Sequence, residues 1–245
     1  MKALILAAGT GSRLKDKTAD RPKALVEVNG KPILYYQLKA LKKNGIKDAI
    51  IVTGYKAEKV SEYLNSSKEF GDMSIKLINN AEYETTNSSY SFWLARNEIK
   101  NDSYIHMNCD VICHPELLRQ VKESEYDNVI GINRKIKLDD TMEKVKMDRD
   151  KITDMELSDL PGAVGRAVGI AKFSPANIKW MLNWIKEKIE SGDKNQHCYG
   201  IIRRAVHEVD YYGFDTKEMI LADINTLEDL EKANNSMKKY SGLFN

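Results

Sequence analysis

Residues 6–23 read LAAGTGSRLKDKTADRPK, a glycine-rich turn set directly behind the short apolar run Ala3 to Leu6. Gly9 and Gly11 stand where the chain must bend, and glycine lets a backbone turn sharply and carry its N–H groups close to an anion. Arg13 can fork onto phosphate oxygens, and Lys23, just behind Pro22, can flank the same anion as a second cation. The stretch therefore reads as a site for a nucleoside triphosphate. Leu6, Ala7, Ala8, Gly9, Thr10, Gly11 and Ser12 form the nucleotide-binding turn, with Arg13 and Lys23 as candidate catalytic cations.

Two familiar phosphate loops do not fit these letters. No glycine is followed by Lys and Ser/Thr at the Walker spacing. The dinucleotide pattern has its first two glycines in Gly9 and Gly11, but Leu14 stands where the third would permit close helix packing. The plainer reading is a strand-to-loop turn with solvated charges, which explains a lone glycine pair better than it explains the whole string.

LAAGTGSRL, followed by RPKAL and VNGKPIL, resembles the opening of the nucleotidyltransferases that join a nucleoside triphosphate to a phosphorylated substrate. Sugar-1-phosphate nucleotidyltransferases and phosphocholine-type cytidylyltransferases share it. The resemblance covers nearly the whole chain. It implies attack of a substrate phosphate or phosphonate on the α-phosphorus, loss of pyrophosphate, and help from Mg²⁺. It also implies an α/β fold of the nucleotide-diphospho-sugar transferase type, with a Rossmann-like, mainly parallel sheet flanked by helices.

The 245 residues are enough to bury a substantial core, and α/β folds of this length often form one domain, here 1–245. Thirty-eight basic residues nearly cancel thirty-six acidic ones, so composition gives nucleic-acid binding little support. No apolar stretch has the length of a signal h-region or a membrane span, which leads us to expect a cytoplasmic protein without a membrane partner. Cys109, Cys113 and Cys198 are too few and irregular for a disulfide framework and are expected as free thiols. Oligomeric state is not encoded in these features, which leave a homo-oligomer open.

Apolar periodicity gives alternating strands and helices. Ile33 to Gly45 repeats at helical spacing and stops at glycine, DAIIVTG reads as a buried strand, and KAEKVSEYLNSS as a second helix. MSIKLINN, SYIHMNC and NVIGIN follow as strands, with helices at Ser88 to Lys100 and PELLRQVKESEY between them. After Arg134 the pattern changes: VKMDRDKITDMEL reads as a hairpin and GRAVGIAKFS as a strand, forming a substrate-side β-hairpin layer. Helices near 175–190 and 196–206, strands at VDYYGF and EMILAD, and a last helix at TLEDLEKANNSM complete the series. Residues 237–245 read as a fraying tail.

Asp110 directly follows the strand SYIHMNC, where open parallel sheets collect their ligands, and can hold Mg²⁺ against the triphosphate. The resemblance implies a second metal ligand near the C-terminus, in a segment like I-D-T-x-E-D-L. That segment here is Ala222-Asp223-Ile224-Asn225-Thr226-Leu227-Glu228-Asp229-Leu230, with Asn225 at the usual aspartate position and Asp223 able to supply the missing charge. The competing reading makes Asn225 or Thr226 a helix cap and leaves Asp223 solvated.

Asn79 to Arg96, NNAEYETTNSSYSFWLAR, resembles the N-x-x-Y-x-x-T-N-x-x-S pattern of small-alcohol and phosphonate cytidylyltransferases, which favours CTP and places Asn87 and Ser88 at the nucleotide. A plain helix cap fits those two residues as well. Lys144 and Lys146, two apart on a strand, are candidate phosphate or phosphonate ligands, Glu143 can meet a primary ammonium, and Tyr199 is a further substrate-side candidate. No aromatic residue lies between Thr141 and Lys146 to cage a quaternary ammonium. The resulting expectation is a CTP cytidylyltransferase for a small phosphate or phosphonate such as 2-aminoethylphosphonate or phosphocholine. A sugar-1-phosphate nucleotidyltransferase using UTP or dTTP, and a non-catalytic nucleotide-binding regulatory module, are the alternatives.

Overall fold

Every residue of the first strand is apolar after Lys2, so the strand must be covered on both faces, and the fold is built around that requirement. In the computed structural model, which describes residues 1–244 and Ser241 by its backbone alone, two apolar layers enclose it. Ala3, Ile5 and Ala7 pack into one layer and Leu4 into the other; Ala49 and Ile51 alternate with Ile50 and Val52 in the same way one strand over.

The strands are β1 (Lys2–Ala7), the two-residue pair β2 (Glu27–Val28) and β3 (Lys31–Pro32), β4 (Asp48–Thr53), β5 (Ser74–Asn79), β6 (Tyr104–Asn108) and β7 (Val111–Cys113). They continue as β8 (Val129–Asn133), β9 (Lys144–Asp148), β10 (Lys151–Glu156), β11 (Gly165–Phe173), β12 (Tyr212–Asp215) and β13 (Ile220–Asp223). The helices are α1 (Ile33–Lys43), α2 (Ala57–Ser66), α3 (Ser88–Leu94), α4 (Arg96–Ile99), α5 (Pro115–Glu123), α6 (Pro175–Glu190), α7 (Cys198–Ala205) and α8 (Leu227–Ser236). Among the described residues no helix is long and apolar enough to cross a membrane.

Nine strands form one sheet in the order β5-β4-β1-β6-β11-β8-β12-β10-β9. β5, β4, β1 and β6 run parallel, as the βα alternation predicts. β11 then enters antiparallel between β6 and β8, so the sheet becomes mixed beyond β6. The hairpin read from the sequence forms as β9 and β10, with Arg149 in the left-handed region at its turn.

β11 outlasts β6. Its Ile170–Phe173 end pairs with β6, while Gly165 and Arg166 pair with β9 instead. The crossing is made at Gly169, where φ is +72° and a Cβ would stand 2.7 Å from the Asn108 amide, so only glycine fits. The overhang carries Arg166 past the end of β6, which is where a ligand of a parallel sheet would lie.

Three local expectations change. The helix read over Ser88 to Lys100 is interrupted at Ala95 into α3 and α4. Val111 to Cys113, assigned to no element from the sequence, forms β7 and pairs with β13. The segment from Met237, read as fraying, turns back as a 3-10 helix to Phe244 whose Met237 and Phe244 side chains are buried; Asn245 lies outside the described residues. The Phe244 ring stands edge-on to Tyr36 with centroids 5.0 Å apart, and its carbonyl accepts from the Tyr35 hydroxyl.

Loss of that ring should be felt by the whole layer. Phe244→Ala is expected to lower the unfolding free energy by about 3 kcal/mol, read as a lower urea midpoint at unchanged slope. An unchanged midpoint would mean that the C-terminal segment contributes nothing to stability.

Candidate active site

β1 ends at Ala7, and the chain passes through the exposed turn Gly9–Thr10 before the buried Leu14 anchors it again. Among the described residues, the backbone N–H groups of Gly9, Thr10 and Gly11 donate to no other group, so the turn presents free donors. Gly11 has φ +66°, and a Cβ there would stand 3.0 Å from the Lys23 Cβ and 3.1 Å from Thr18. The turn thus lies against the stem of Lys23. It is pinned from the next strand as well, since the Tyr55 N–H donates to the Ala8 carbonyl at 3.0 Å.

Lys23 is nearly buried, its side chain 10% exposed, because Ala24 and Leu25 beside it are core residues. Its Nζ donates to Asp110 Oδ2 at 2.8 Å and to Asn225 Oδ1 at 2.9 Å. Arg13 reaches the same Asn225 oxygen at 2.8 Å from the exposed side. The β7–β13 pairing explains how these distant segments meet. Val111 lies opposite Asp223, and the Ile224 N–H donates to the Asp110 carbonyl at 3.0 Å.

Asn225 does not cap the last helix. Thr226 does so, in a capping box with Asp229, and the Asp229 carboxylate also accepts from the Asn225 N–H at 3.0 Å. With its backbone so fixed, Asn225 turns its side chain to the site. Its Nδ2 donates to Asp223 Oδ1 at 2.7 Å while its Oδ1 faces the two cations.

Asp223 is not solvated. Its second oxygen accepts from the Arg166 guanidinium at 2.6 Å, with the two side chains only 16% and 17% exposed. Burial, and then the Asp110 charge, hold the Asp223 carboxyl above its ordinary value, and Arg166 works against both. Arg166 is a site residue the sequence reading lacked; its one trace there was an arginine near the start of a largely apolar strand.

The other candidates fall into two places. Asn87 caps α3 through its side chain and its amide faces Asn195 and His197, while the Ser88 hydroxyl accepts from the Cys198 N–H at 2.8 Å. These two residues tie α3 to the start of α7, which carries the buried Tyr199. Lys144 is turned away from the Lys23 network, its ammonium on the Leu157 carbonyl at 2.7 Å, and Lys146 is exposed. The three cysteines are free thiols, and burial pushes each up to about 12, so they are inert at neutral pH.

The family model described as "Nucleotidyl transferase" matches residues 2–139. A choline-phosphate cytidylyltransferase of Streptococcus pneumoniae is 29% identical over 242 residues, covering 97% of this chain and 99% of that protein. A CMP-5'-(3-aminopropyl)phosphonate synthase of Streptomyces rubellomurinus is 31% identical over 137 residues, 56% of this chain and 21% of that longer protein. Among solved structures, a CTP:phosphocholine cytidylyltransferase from Streptococcus pneumoniae superposes with a TM-score of 0.81 at 26% identity, over 96% of this chain and 97% of that one.

Arg166 is open to a direct test. Arg166→Met leaves Asp223 charged and without its cation beside Asp110, which is expected to cost about 3 kcal/mol at neutral pH. Removing Arg166 raises the Asp223 carboxyl further above 3.8. A carboxyl whose folded value exceeds its unfolded value weakens the fold where it is ionised, so the penalty is full above the folded value and fades as pH falls through it. Urea midpoints of variant and wild type should therefore converge between about pH 7.5 and about pH 4; a gap that does not change with pH would overturn the assignment to Asp223.

Proposed function

The chain belongs to the nucleotidyl transferase family, and from that premise we propose a cytoplasmic, CTP-dependent cytidylyltransferase that joins CMP to a small phosphate or phosphonate metabolite and releases pyrophosphate. One observation carries the reading: the Lys23 ammonium, held between Asp110 and Asn225 at 2.8 and 2.9 Å, lies directly under a turn whose N–H groups are free, with Arg13 at its mouth. That is a cationic cradle sized for phosphate oxygens. The choice of CTP is supported by the cytidylyltransferase relative that aligns over 97% of the chain and by the Asn79 to Arg96 segment.

In this reading the stretch from Leu6 to Ser12 holds the triphosphate through the free N–H groups of Gly9, Thr10 and Gly11, and Asn87 and Ser88 stand on the nucleotide side. An ionised oxygen of the acceptor attacks the α-phosphorus in line, and the bond to pyrophosphate breaks. The nucleophile already carries its charge at neutral pH, so no residue has to remove a proton. What opposes the reaction is the approach of an anion to a polyanion. Arg13 and Lys23 offset that repulsion and follow the charge that grows on the pyrophosphate oxygens.

Asp110, Asp223 and the Asn225 carbonyl are the residues that would hold Mg²⁺. The fit rests on donor chemistry: all three offer oxygen, as a hard divalent cation requires, and the ionised form of Asp223, disfavoured by burial and then by the Asp110 charge, would gain from a cation there. When bound, the ion supplies positive charge to the phosphate oxygens. Lys144, Lys146 and Tyr199 are the acceptor-side candidates, of which Lys144 would have to leave the Leu157 carbonyl to take part.

Pyrophosphate release tests the proposal. Lys23→Ala and Asp110→Ala should each lower kcat/KM for CTP by about 10²-fold or more while the circular dichroism spectrum is kept. Arg13→Lys keeps charge but loses the fork and should recover only part of the rate. Near-normal turnover in either folded alanine variant would overturn these roles. Turnover with UTP or dTTP and glucose 1-phosphate, but none with CTP, would replace the reading by the sugar nucleotidyltransferase one.

A further inference from the structure

The buried face of α1 is apolar except at one place. Gln37 is 1% exposed, in a helix whose Ile33, Leu34, Leu38 and Leu41 are all core residues. Its single Nε2 donates to two carbonyls, that of Asn108 at 2.7 Å and that of Val111 at 2.9 Å. Those carbonyls stand on either side of Cys109 and Asp110, the two residues that turn the chain between β6 and β7. The Oε1 of Gln37 is buried and has no partner. A buried acceptor left without a donor is costly, and a methionine of similar length would bury no such oxygen, so the side chain is explained by what its two N–H groups hold.

The turn needs a hold from outside the sheets. Asn108 is the last residue of β6, paired with Leu6 of β1 in the nine-stranded sheet, and Val111 is the first of β7, paired with Asp223 of β13 in a separate two-stranded sheet. Between them the chain passes from one sheet to the other, so neither ladder alone fixes the direction in which Asp110 leaves the turn. The Ile224 N–H, on the Asp110 carbonyl at 3.0 Å, ties the turn to the C-terminal segment. Gln37 ties both flanks of the turn to α1. An amide nitrogen keeps its two N–H groups in one rigid plane, so two carbonyls bound to it are fixed in spacing and in direction.

We infer that Gln37 is a positioning residue for nucleotidyl transfer: by clamping the carbonyls on both sides of Cys109 and Asp110, it aims the Asp110 carboxylate at Lys23. The inference rests on the proposed role of Asp110 and adds a residue that acts only through it. A carboxylate displaced by a fraction of an ångström keeps its charge but no longer shares the Lys23 ammonium with Asn225 at hydrogen-bond distance. Such a misplacement is felt where charge develops in the transition state, and so in kcat more than in substrate binding.

Two measurements test it, and the first needs no substrate. Urea midpoints are taken for wild type, Gln37→Met, Asp110→Ala and the double variant; Gln37→Met keeps the length of the side chain and loses both donors. If the clamp aims the carboxylate, Asp110→Ala has less to lose once the clamp is gone, and its midpoint shift is expected to shrink by about half in the Gln37→Met background. Shifts that simply add would overturn the inference. The second measurement is turnover with CTP and phosphocholine or 2-aminoethylphosphonate. Gln37→Met is expected to lower kcat about tenfold with KM for CTP within about twofold of wild type. Leu41→Ala, a cavity one turn further along the same face of α1, should lower the urea midpoint and leave kcat within about twofold. Gln37→His carries a ring nitrogen the same number of bonds from the backbone and returns one donor, so it should recover part of the rate; it also stands in for the methionine variant if that one does not fold. An unchanged kcat in Gln37→Met, or an equal fall in Leu41→Ala, would overturn the positioning role. If wild type turns over neither acceptor with CTP, the functional reading fails, and the urea cycle decides the place of Gln37 by itself.

Discussion

The ammonium of Lys23 is the point on which the arrangement turns. A cation with a side chain only 10% exposed is tolerated when its hydrogen bonds and its charge are both met. Asp110 meets the charge, and the Asn225 carbonyl takes a second N–H. Those partners come from the far end of β6 and from the lead-in to α8, so satisfying one lysine fixes the relative positions of three remote segments. Gly11 then rests on the lysine stem, which places the free N–H groups of the turn above the cation.

The sheet supplies the frame for that meeting. Its parallel half ends β1 and β6 at one edge, where the turn and Asp110 leave the sheet. Its antiparallel half depends on β11, which follows β6 and then departs at Gly169 to pair with β9. The overhang brings Arg166 to Asp223. The carboxylates therefore lie where two structurally different halves meet, one made by βα turns and the other by a hairpin layer.

What the sequence disclosed follows from the range of the forces involved. Burial on both faces makes β1 and β4 continuous apolar runs, and helix-facing stripes such as Ile33 to Leu41 repeat locally, so both could be read in place. β7 could not. Val-Ile-Cys is three residues long, and it is a strand only because β13 lies beside it, a partner more than a hundred residues away. The C-terminal segment escaped for the same reason, since Phe244 is ordered by Tyr36 and has no local periodicity. Within the site, Arg13, Lys23, Asp110, Asp223 and Asn225 were legible as residue types at turns and strand ends, and the structure gathers them into one network. Arg166 was not, because a lone arginine in a strand acquires meaning only when Asp223 is opposite. For Asn87 and Ser88 the structure displays the capping bonds, and their place at the nucleotide remains part of the proposal.

Asn225 departs from the aspartate of the resembling pattern, and its hydrogen bonds give the departure a physical sense. Its Oδ1 receives two cationic donors while its Nδ2 gives a proton to the Asp223 carboxylate. An amide can do both at once because one end accepts and the other donates. A carboxylate could accept from Arg13 and Lys23 but would turn a second acceptor on Asp223, whose carboxyl already stands above its ordinary value through burial and the Asp110 charge. A third negative charge at this spot would add repulsion to a nearly dry pair, which Arg166 and, to a smaller extent, Lys23 already have to offset. The amide therefore links Arg13 and Lys23 to the Asp223 carboxylate without adding charge, and Arg13, Lys23, Asn225, Asp223 and Arg166 form one continuous run of hydrogen bonds. Displacing any one of them alters the partners of the next, so the site behaves as a unit even though its members come from distant parts of the chain.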